Sequence, residues 1–484
     1  MGLAGLGKSE NSPNPTSLFL VHSECFSHQF CGSNLVFVLD QFFSNTLSFL
    51  SKLPSTLTVR LIMNWDHLAE ESSQKLFASW LQLLSPAVPL TLAGQHRPGH
   101  QPIEASSFTT GAFNICCTVT FEDGFRVVVR FPILGRSRFR TEKTRDEVSV
   151  MNFLSRQTQV PVPIVLGAGR WGCGPYVVTT FIEGTLLSKQ LKDPSVGLSD
   201  LERAYQGMAE VMLELSKPTF PSIGALEFES GKWQVTKRPM TLSMNELVRV
   251  GNLPPAIFTR KIFPTAAEYF EELATQQLLH VQYQRNDAVK RHDARKTREP
   301  GPFHLWCDDF CPSNVLVSES DLTITGVIDW EFTYVAPTEF TCTAPWWLPF
   351  ERPEAWESDL NDFLARYTPR LQFFLKILRA CEDRQMQNGT LTDSQRLSDR
   401  MARSLDCGLF WFCLATRRSF MFDDIYWTFL DEKHFGRLNS LDDRLSLLSQ
   451  DELDGLDGFV RMKMQQVVEK RLDEHLTFDE LVDL

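Results

Sequence analysis

An α+β fold in two unequal lobes, a small β-rich one followed by a larger and mostly helical one, is what this chain of 484 residues predicts. Three observations carry the prediction. Two β-rich runs meet at an Asp-Gly turn, a helix and a further strand come next, and after Gly184 the apolar residues recur at helical spacing.

The elements follow in order. Residues 1–62 form an extension rich in Ser, Phe and Leu without clear helical periodicity, and poor order is expected there. Gly2 to Ser9 formally matches the phosphate-binding P-loop pattern. That motif needs a strand to deliver the loop to a helix N-terminus, and only Met1 precedes it, so the match is set aside. Residues 63–183 are expected to make the first lobe, starting with a helix from Trp65 to Leu84 that carries Leu68, Leu76, Phe77, Trp80, Leu81 and Leu84 on one face. Phe113–Phe121 and Phe125–Phe131 flank Glu122-Asp123-Gly124 and read as a hairpin. A helix from Lys143 to Arg156 with Val148, Met151 and Leu154 along one face ends before Pro161 and Pro163, and a strand runs from Tyr176 to Ile182. Residues 184–484 are expected to form the helical lobe. Its clearest helix runs from Pro264 to Asn286, and Val315–Val317 with Thr323–Ile328 form a second hairpin about Ser318 to Asp321.

Composition narrows the classes of function. Hydrophobic residues make up 43% of the chain, enough for real cores, and the formal net charge of -12 argues against a nucleic-acid-binding surface. The eleven cysteines include no C-x-x-C pair, which excludes a zinc ribbon or a thioredoxin motif and suits free thiols in a reducing compartment. No apolar stretch reaches the length needed to span a bilayer, so a cytoplasmic protein without a membrane partner is expected. Oligomeric state is not legible.

One constellation carries chemistry. In the stretch from Leu305 to Val317, Asp309 is followed five residues later by Asn314 at the start of a strand, and Asp329 ends the partner strand of that hairpin. Phosphoryl transfer asks for such a set. Mg²⁺ takes hard oxygen ligands while bridging nucleotide phosphates, and an attacking hydroxyl needs a carboxylate to orient it and take its proton. A loop and a hairpin can bring the three side chains to one side of a cleft.

These residues resemble the aminoglycoside phosphotransferase and choline kinase-like family, with its bilobal protein-kinase-like fold. Members carry His-x-Asp-x-x-x-x-Asn followed by Ile-Asp-Trp or Ile-Asp-Phe. The stretches Ile328 to Tyr334, Pro345 to Leu348 and Arg417 to Trp427 are similar to the family's fungal branch. The resemblance runs from about Phe108 to the C-terminus. It implies an ATP- and Mg²⁺-dependent transfer to a hydroxyl of a small molecule, with Asp309 as catalytic base and Asn314 and Asp329 as metal ligands. The offset to Asn314 selects Asp309 over Asp308. It further implies a strand cation at Arg130 paired with Glu147, with Lys143 as a rival for the phosphate contact. Gly111 would lie in the phosphate-covering loop with Ser107 and Thr110, and Thr180, Phe181 and Ile182 would form an adenine-binding hinge.

The chain departs from the family pattern at three places. Cys307 stands where the motif has a histidine that braces the catalytic loop, Arg130 stands for a lysine, and basic, polar residues fill the stretch between Asp287 and Phe303. They support an alternative reading, a nucleotide-binding or scaffold module without turnover. A protein kinase is disfavoured, because Ala336 to Glu339 follows Asp329 too closely for an activation segment. The aromatics Trp346, Trp347, Trp411, Phe412, Phe420, Phe422, Tyr426 and Trp427 read as core before acceptor pocket. Asp423 and Asp424 suit either a cationic acceptor or a helix cap.

Overall fold

The computed structural model describes residues 65–483 apart from 194–195, 285–300, 357–359, 438–439, 441–442, 445, 447–449 and 470–474. The N-terminal extension with its Gly2–Ser9 motif, and nearly all of the basic stretch before Phe303, lie outside the described residues.

Helices α1 (Trp65–Leu81) and α2 (Ala87–Gln95) lead into the first lobe. Its antiparallel sheet contains β1 (Pro102–Ala105), β2 (Thr109–Thr110), β3 (Asn114–Phe121), β4 (Arg126–Pro132), β5 (Val165–Trp171) and β6 (Gly174–Thr180), in the order β1-β3-β4-β6-β5 with β2 against β3. The hairpin expected about Asp123 is β3–β4, with Val119 opposite Val127. Alternation sorts its side chains. Ile115, Val119, Phe121, Val127, Val129 and Phe131 are buried against Trp80 of α1 and Leu92 of α2, while the opposite face carries Arg130. The Trp80 indole donates to the Cys173 carbonyl at 3.1 Å and so fastens α1 to the sheet. Strand β5 had no clear sequence signal, because Gly167 and Gly169 interrupt it. Gly167 is there for steric reasons: the His96 ring lies 2.0 Å from where a Cβ would stand.

Helix α3 (Arg140–Gln157) covers the expected span. Val150, Met151, Phe153 and Leu154 are buried, whereas Val148 is only half-buried. The helix also buries Lys143, Asp146 and Glu147, which periodicity of apolar residues cannot reveal. Asp146 is one of these. One carboxylate oxygen accepts from Arg145 at 3.3 Å and the other has no hydrogen-bond partner. Burial raises its pKa to about 7. Because the folded value exceeds the unfolded one, this stabilising contribution is complete below about pH 4 and is lost as pH rises through 7. Asp146→Asn is therefore expected to flatten the fall in stability between pH 5 and 8, with a gain on the order of 1 kcal/mol at the upper end. Denaturant melts at the two pH values check this.

The second lobe contains β7 (Thr185–Leu186), α4 (Leu198–Ser216), β8 (Ala225–Glu229), β9 (Lys232–Lys237), α5 (Leu242–Arg249) and α6 (Ala266–Tyr283). The β8–β9 hairpin is an addition to the predominantly helical stretch expected after Gly184. Ser230 and Gly231 sit between its strands at φ 52° and 80°, a two-residue turn that suits the strand twist, and that pair was the available signal. In α6 the cap is Thr265, whose side chain accepts from the Glu268 amide at 3.2 Å, so Pro264 precedes the cap instead of opening the first turn.

Next come β10 (His304–Cys307), β11 (Val315–Val317), β12 (Ile324–Val327) and β13 (Thr333–Ala336). The expected hairpin is β11–β12, with β7 added to β11, while β10 pairs with β13. Helices α7 (Leu360–Gln387), α8 (Leu409–Arg417), α9 (Gln450–Glu469) and α10 (Phe478–Asp483) follow. Trp346, Trp347, Trp411, Phe422 and Tyr426 are buried in the large core, as their area favours. Helix α10 returns to the first lobe, where Arg140 donates to the Val482 carbonyl at 2.9 Å. Among the described residues no helix is long and apolar enough to cross a membrane, and all described cysteines are free.

Candidate active site

Strand β10 ends at Cys307, and the loop that follows turns through Pro312–Asn314 into β11. The Asn314 side-chain amide donates back to the Asp309 carbonyl at 2.9 Å and to Asp309 Oδ2 at 3.2 Å, closing the loop on itself. Across the hairpin the Ile328 amide donates to the Asn314 carbonyl at 2.9 Å, so Asp329 begins one residue from the register position of Asn314. Asp329 has φ 64°, a left-handed conformation that Asp tolerates better than bulkier residues. Pairing and turn together gather Asp309, Asn314 and Asp329.

Asp308 and Asp309 differ sharply in their surroundings. Asp308 accepts from the Leu242 amide at 3.0 Å, the Trp306 indole at 2.9 Å and the Tyr334 hydroxyl at 3.3 Å. It is a structural bracket between β10, β13 and α5. Asp309 is buried with Oδ1 lacking a partner, while Oδ2 also takes Arg352 Nη2 at 2.9 Å. Burial raises the Asp309 carboxyl above its ordinary range, against the pull of Arg352, Arg418 and Asn314. Asp308→Asn is expected to cost about 1–3 kcal/mol of stability by unpairing buried donors, with little change in the turnover of the folded fraction. A denaturant midpoint and a kcat measured on the same sample separate the two effects.

The cation–acid pair on the first lobe is present. Arg130 Nη1 meets Glu147 Oε1 at 2.7 Å, and its Nη2 meets Asp329 Oδ1 at 2.9 Å. Burial works against the Arg130 charge, but Glu147 and Asp329 more than offset it and hold it protonated. The Asp329 carboxyl is pushed up by burial and by Glu331, and Arg130 opposes that rise. Lys143 is not available for a phosphate. It is fully buried, ion-paired with Glu331, and 3.4 Å from Asn114 Oδ1, while Asn114 Nδ2 donates to the same Glu331 oxygen at 3.0 Å. This Asn114–Glu331–Lys143 group ties β3, α3 and the loop after Asp329 together. Sequence spacing had not brought Glu331 or Asn114 forward.

Gly111 lies in the tight turn between β2 and β3, where its amide donates to the Asn114 carbonyl at 2.7 Å and its carbonyl accepts from Arg136 at 3.1 Å. Thr180 and Phe181 continue the edge of β6. The Thr180 amide donates to Ile164 at 2.9 Å, and that of Phe181 to Arg126 at 3.2 Å, with the Arg126 guanidinium 4.1 Å over the Phe181 ring. Ile182 rests on Gly326 of β12, where a Cβ would come within 2.6 Å of the Ile182 Cδ1, so a larger residue there would push the Ile182 side chain aside. The expected hinge thus touches the hairpin that carries Asn314 and Asp329. The Cys307 thiol lies 3.9 Å from the Glu331 carbonyl, a weak contact in place of a histidine brace.

Among the described residues no three His, Cys, Asp or Glu side chains form a metal cage. The oxygens of Asn314 and Asp329 suit a hard cation that draws its other ligands from phosphates and water.

A two-lobed α+β chain with an acid–amide–acid site and a strand cation locked to a helix acid defines a phosphotransferase of protein-kinase-like fold. The chain belongs to the phosphotransferase enzyme family, whose model matches residues 118–374. No curated protein matches it. Among solved structures it is similar to a macrolide 2′-phosphotransferase from Brachybacterium faecium, at 17% identity and TM-score 0.32 over 70% of this chain and 97% of that one. An amicoumacin kinase in complex with AMP-PNP and Ca²⁺ matches at 14% identity and TM-score 0.38 over 82% and 97%. A GDP complex of an aminoglycoside 2′-phosphotransferase matches at 15% identity and TM-score 0.35 over 79% and 100%.

Proposed function

We propose that this protein transfers the γ-phosphoryl group of ATP to a hydroxyl of a small molecule, with Asp309 as base and Mg²⁺ on Asn314 and Asp329. The observation that carries the reading is the orphaned oxygen of buried Asp309, Oδ1, beside an Asn314 whose amide is already spent on Asp309. That oxygen has hydrogen-bonding capacity to spare and would accept from the acceptor hydroxyl once the buried carboxylate is uncovered. The Asn314 side-chain oxygen would be left for a cation. Mg²⁺, when bound, supplies neutralising charge to the phosphates. Arg130, steadied by Glu147, would turn from Asp329 toward the α/β-phosphates, and Gly111 would lie in the loop covering them. Thr180, Phe181 and Ile182 would hold the adenine by their backbone. Residues 63–183 and 184–484 would act as the two walls of the cleft, and the free thiols suit the reducing cytoplasm.

A second reading, a binding module without turnover, is favoured by one feature: both acids of the site are paired to arginines, Asp309 to Arg352 and Asp329 to Arg130. ATP consumption over a metabolite library, with and without Mg²⁺, decides between them when run beside Asp329→Asn. Mg²⁺-dependent turnover that Asp329→Asn loses is the expected result. Nucleotide binding with no turnover on any acceptor favours the silent module, and a wild-type protein that binds no ATP ends both.

A further inference from the structure

Arg352 lies outside every element that the phosphotransfer reading uses, yet it makes the shortest contact to the Asp309 side chain, 2.9 Å from Nη2 to Oδ2. The pair is unequal. Only 5% of the Asp309 side chain is exposed, against 42% for Arg352, so the guanidinium roofs the carboxylate and stands between it and solvent. An acceptor approaching Asp309 from solvent meets Arg352 first.

The segment that presents Arg352 is fixed on both sides. The Phe350 ring lies 6.4 Å from Tyr205 and 4.4 Å from the Arg370 guanidinium, Glu351 pairs with Arg366 at 3.1 Å, and Trp356 stacks on Phe363 at 3.7 Å. These contacts hold the backbone that carries Arg352 beside Asp309, so its guanidinium stays within reach of an acceptor at the base. Arg418 adds a second positive charge that acts on Asp309. Glu331 acts on Asp309 in the opposite sense. The charge an acceptor meets in direct contact with the base is therefore the Arg352 guanidinium. It repels an ammonium group and attracts a carboxylate or phosphate, which Arg reads with two parallel N–H donors.

We propose that Arg352 is a specificity residue for the acceptor, and that the acceptor carries an anionic group, carboxylate or phosphate, near the hydroxyl that is phosphorylated. This rests on the phosphotransferase reading and names the acceptor class for its site. On acceptor binding the guanidinium exchanges Asp309 for the acceptor's anion, which releases Oδ2 to share the hydroxyl.

The test uses the full chain loaded with AMP-PNP and Mg²⁺, and four probes on one three-carbon frame that differ in charge: glycerate, glycerol 3-phosphate, glycerol and 3-amino-1,2-propanediol. Calorimetric titration of wild type, Arg352→Gln and Arg352→Lys reads the affinities. Expected are binding of at least one anionic probe, loss of about 10–100-fold in affinity in Arg352→Gln, and partial rescue in Arg352→Lys. The preferred anionic probe tells carboxylate from phosphate. The proposal is overturned if the cationic or neutral probe binds more tightly, if neither anion binds, or if Arg352→Gln leaves anion affinity unchanged. The neutral probe adds a control: an Arg352 that only positions Asp309 would weaken glycerol and the anions alike, whereas a specificity residue weakens the anions selectively. Failure of AMP-PNP to load at all strikes the phosphotransferase reading instead, and the same probes on the unloaded chain still report on Arg352.

Discussion

Asp309→Asn is expected to lower kcat by about 10²–10⁴-fold while nucleotide affinity changes little. The amide keeps the volume of the side chain and its place beside Asn314 and Arg352, so the loop should hold its shape. What disappears is the anionic oxygen that takes the hydroxyl proton. The substitution also takes the Asp309 charge away from Arg352, whose side chain is exposed enough to be hydrated on that side. ATP turnover and ATP titration on the same preparation check the prediction. An unchanged kcat would remove Asp309 from the chemistry, and a collapse of nucleotide binding would make it structural. The contrast with Asp308→Asn is built in, since that change should lower stability and spare turnover.

Lys143→Met should be among the most damaging single changes to stability, with an expected loss of about 3–5 kcal/mol. Methionine fills much of the stem's volume but leaves the Glu331 carboxylate buried with no cation. Glu331 Oε1 already lacks a partner, so Asn114 alone would remain to satisfy the other oxygen. Glu331→Gln in the Lys143→Met background should recover a large part of the loss, because a neutral amide is far cheaper to bury than an unpaired carboxylate. A double-mutant cycle from denaturant melts should therefore show coupling above about 1 kcal/mol. Additive losses would mean that the two side chains do not hold one another.

The comparison of Lys143 with Arg130 shows where sequence spacing stops. Arg130 was the expected phosphate contact and Lys143 its rival, since each stands at a plausible offset from Glu147. Burial separates them: Arg130 faces Glu147 and Asp329 together, and Lys143 is sealed behind Glu331. The order of the lobes, the β3–β4 and β11–β12 hairpins and the spacing of Asp309, Asn314 and Asp329 were legible because each is a local pattern. The β8–β9 hairpin was missed although Ser230-Gly231 offered a turn signal. Strand β5 was missed because Gly167 and Gly169 interrupt its pattern, and β10 because it is four residues long and pairs with the distant β13.

The sequence by itself determined the fold class, the family and the three oxygen-bearing residues of the candidate site, because period, turn chemistry and motif spacing depend on neighbours along the chain. Tertiary structure alone decided that Asp308 is a bracket, that Lys143 belongs to Glu331 and that Arg352 covers Asp309. Apart from Trp306, two positions from Asp308, those partners are 26 to 188 residues apart in the chain. Whether a charge is a ligand, a counter-ion or a support depends on what surrounds it in space, and spacing along the chain does not carry that information.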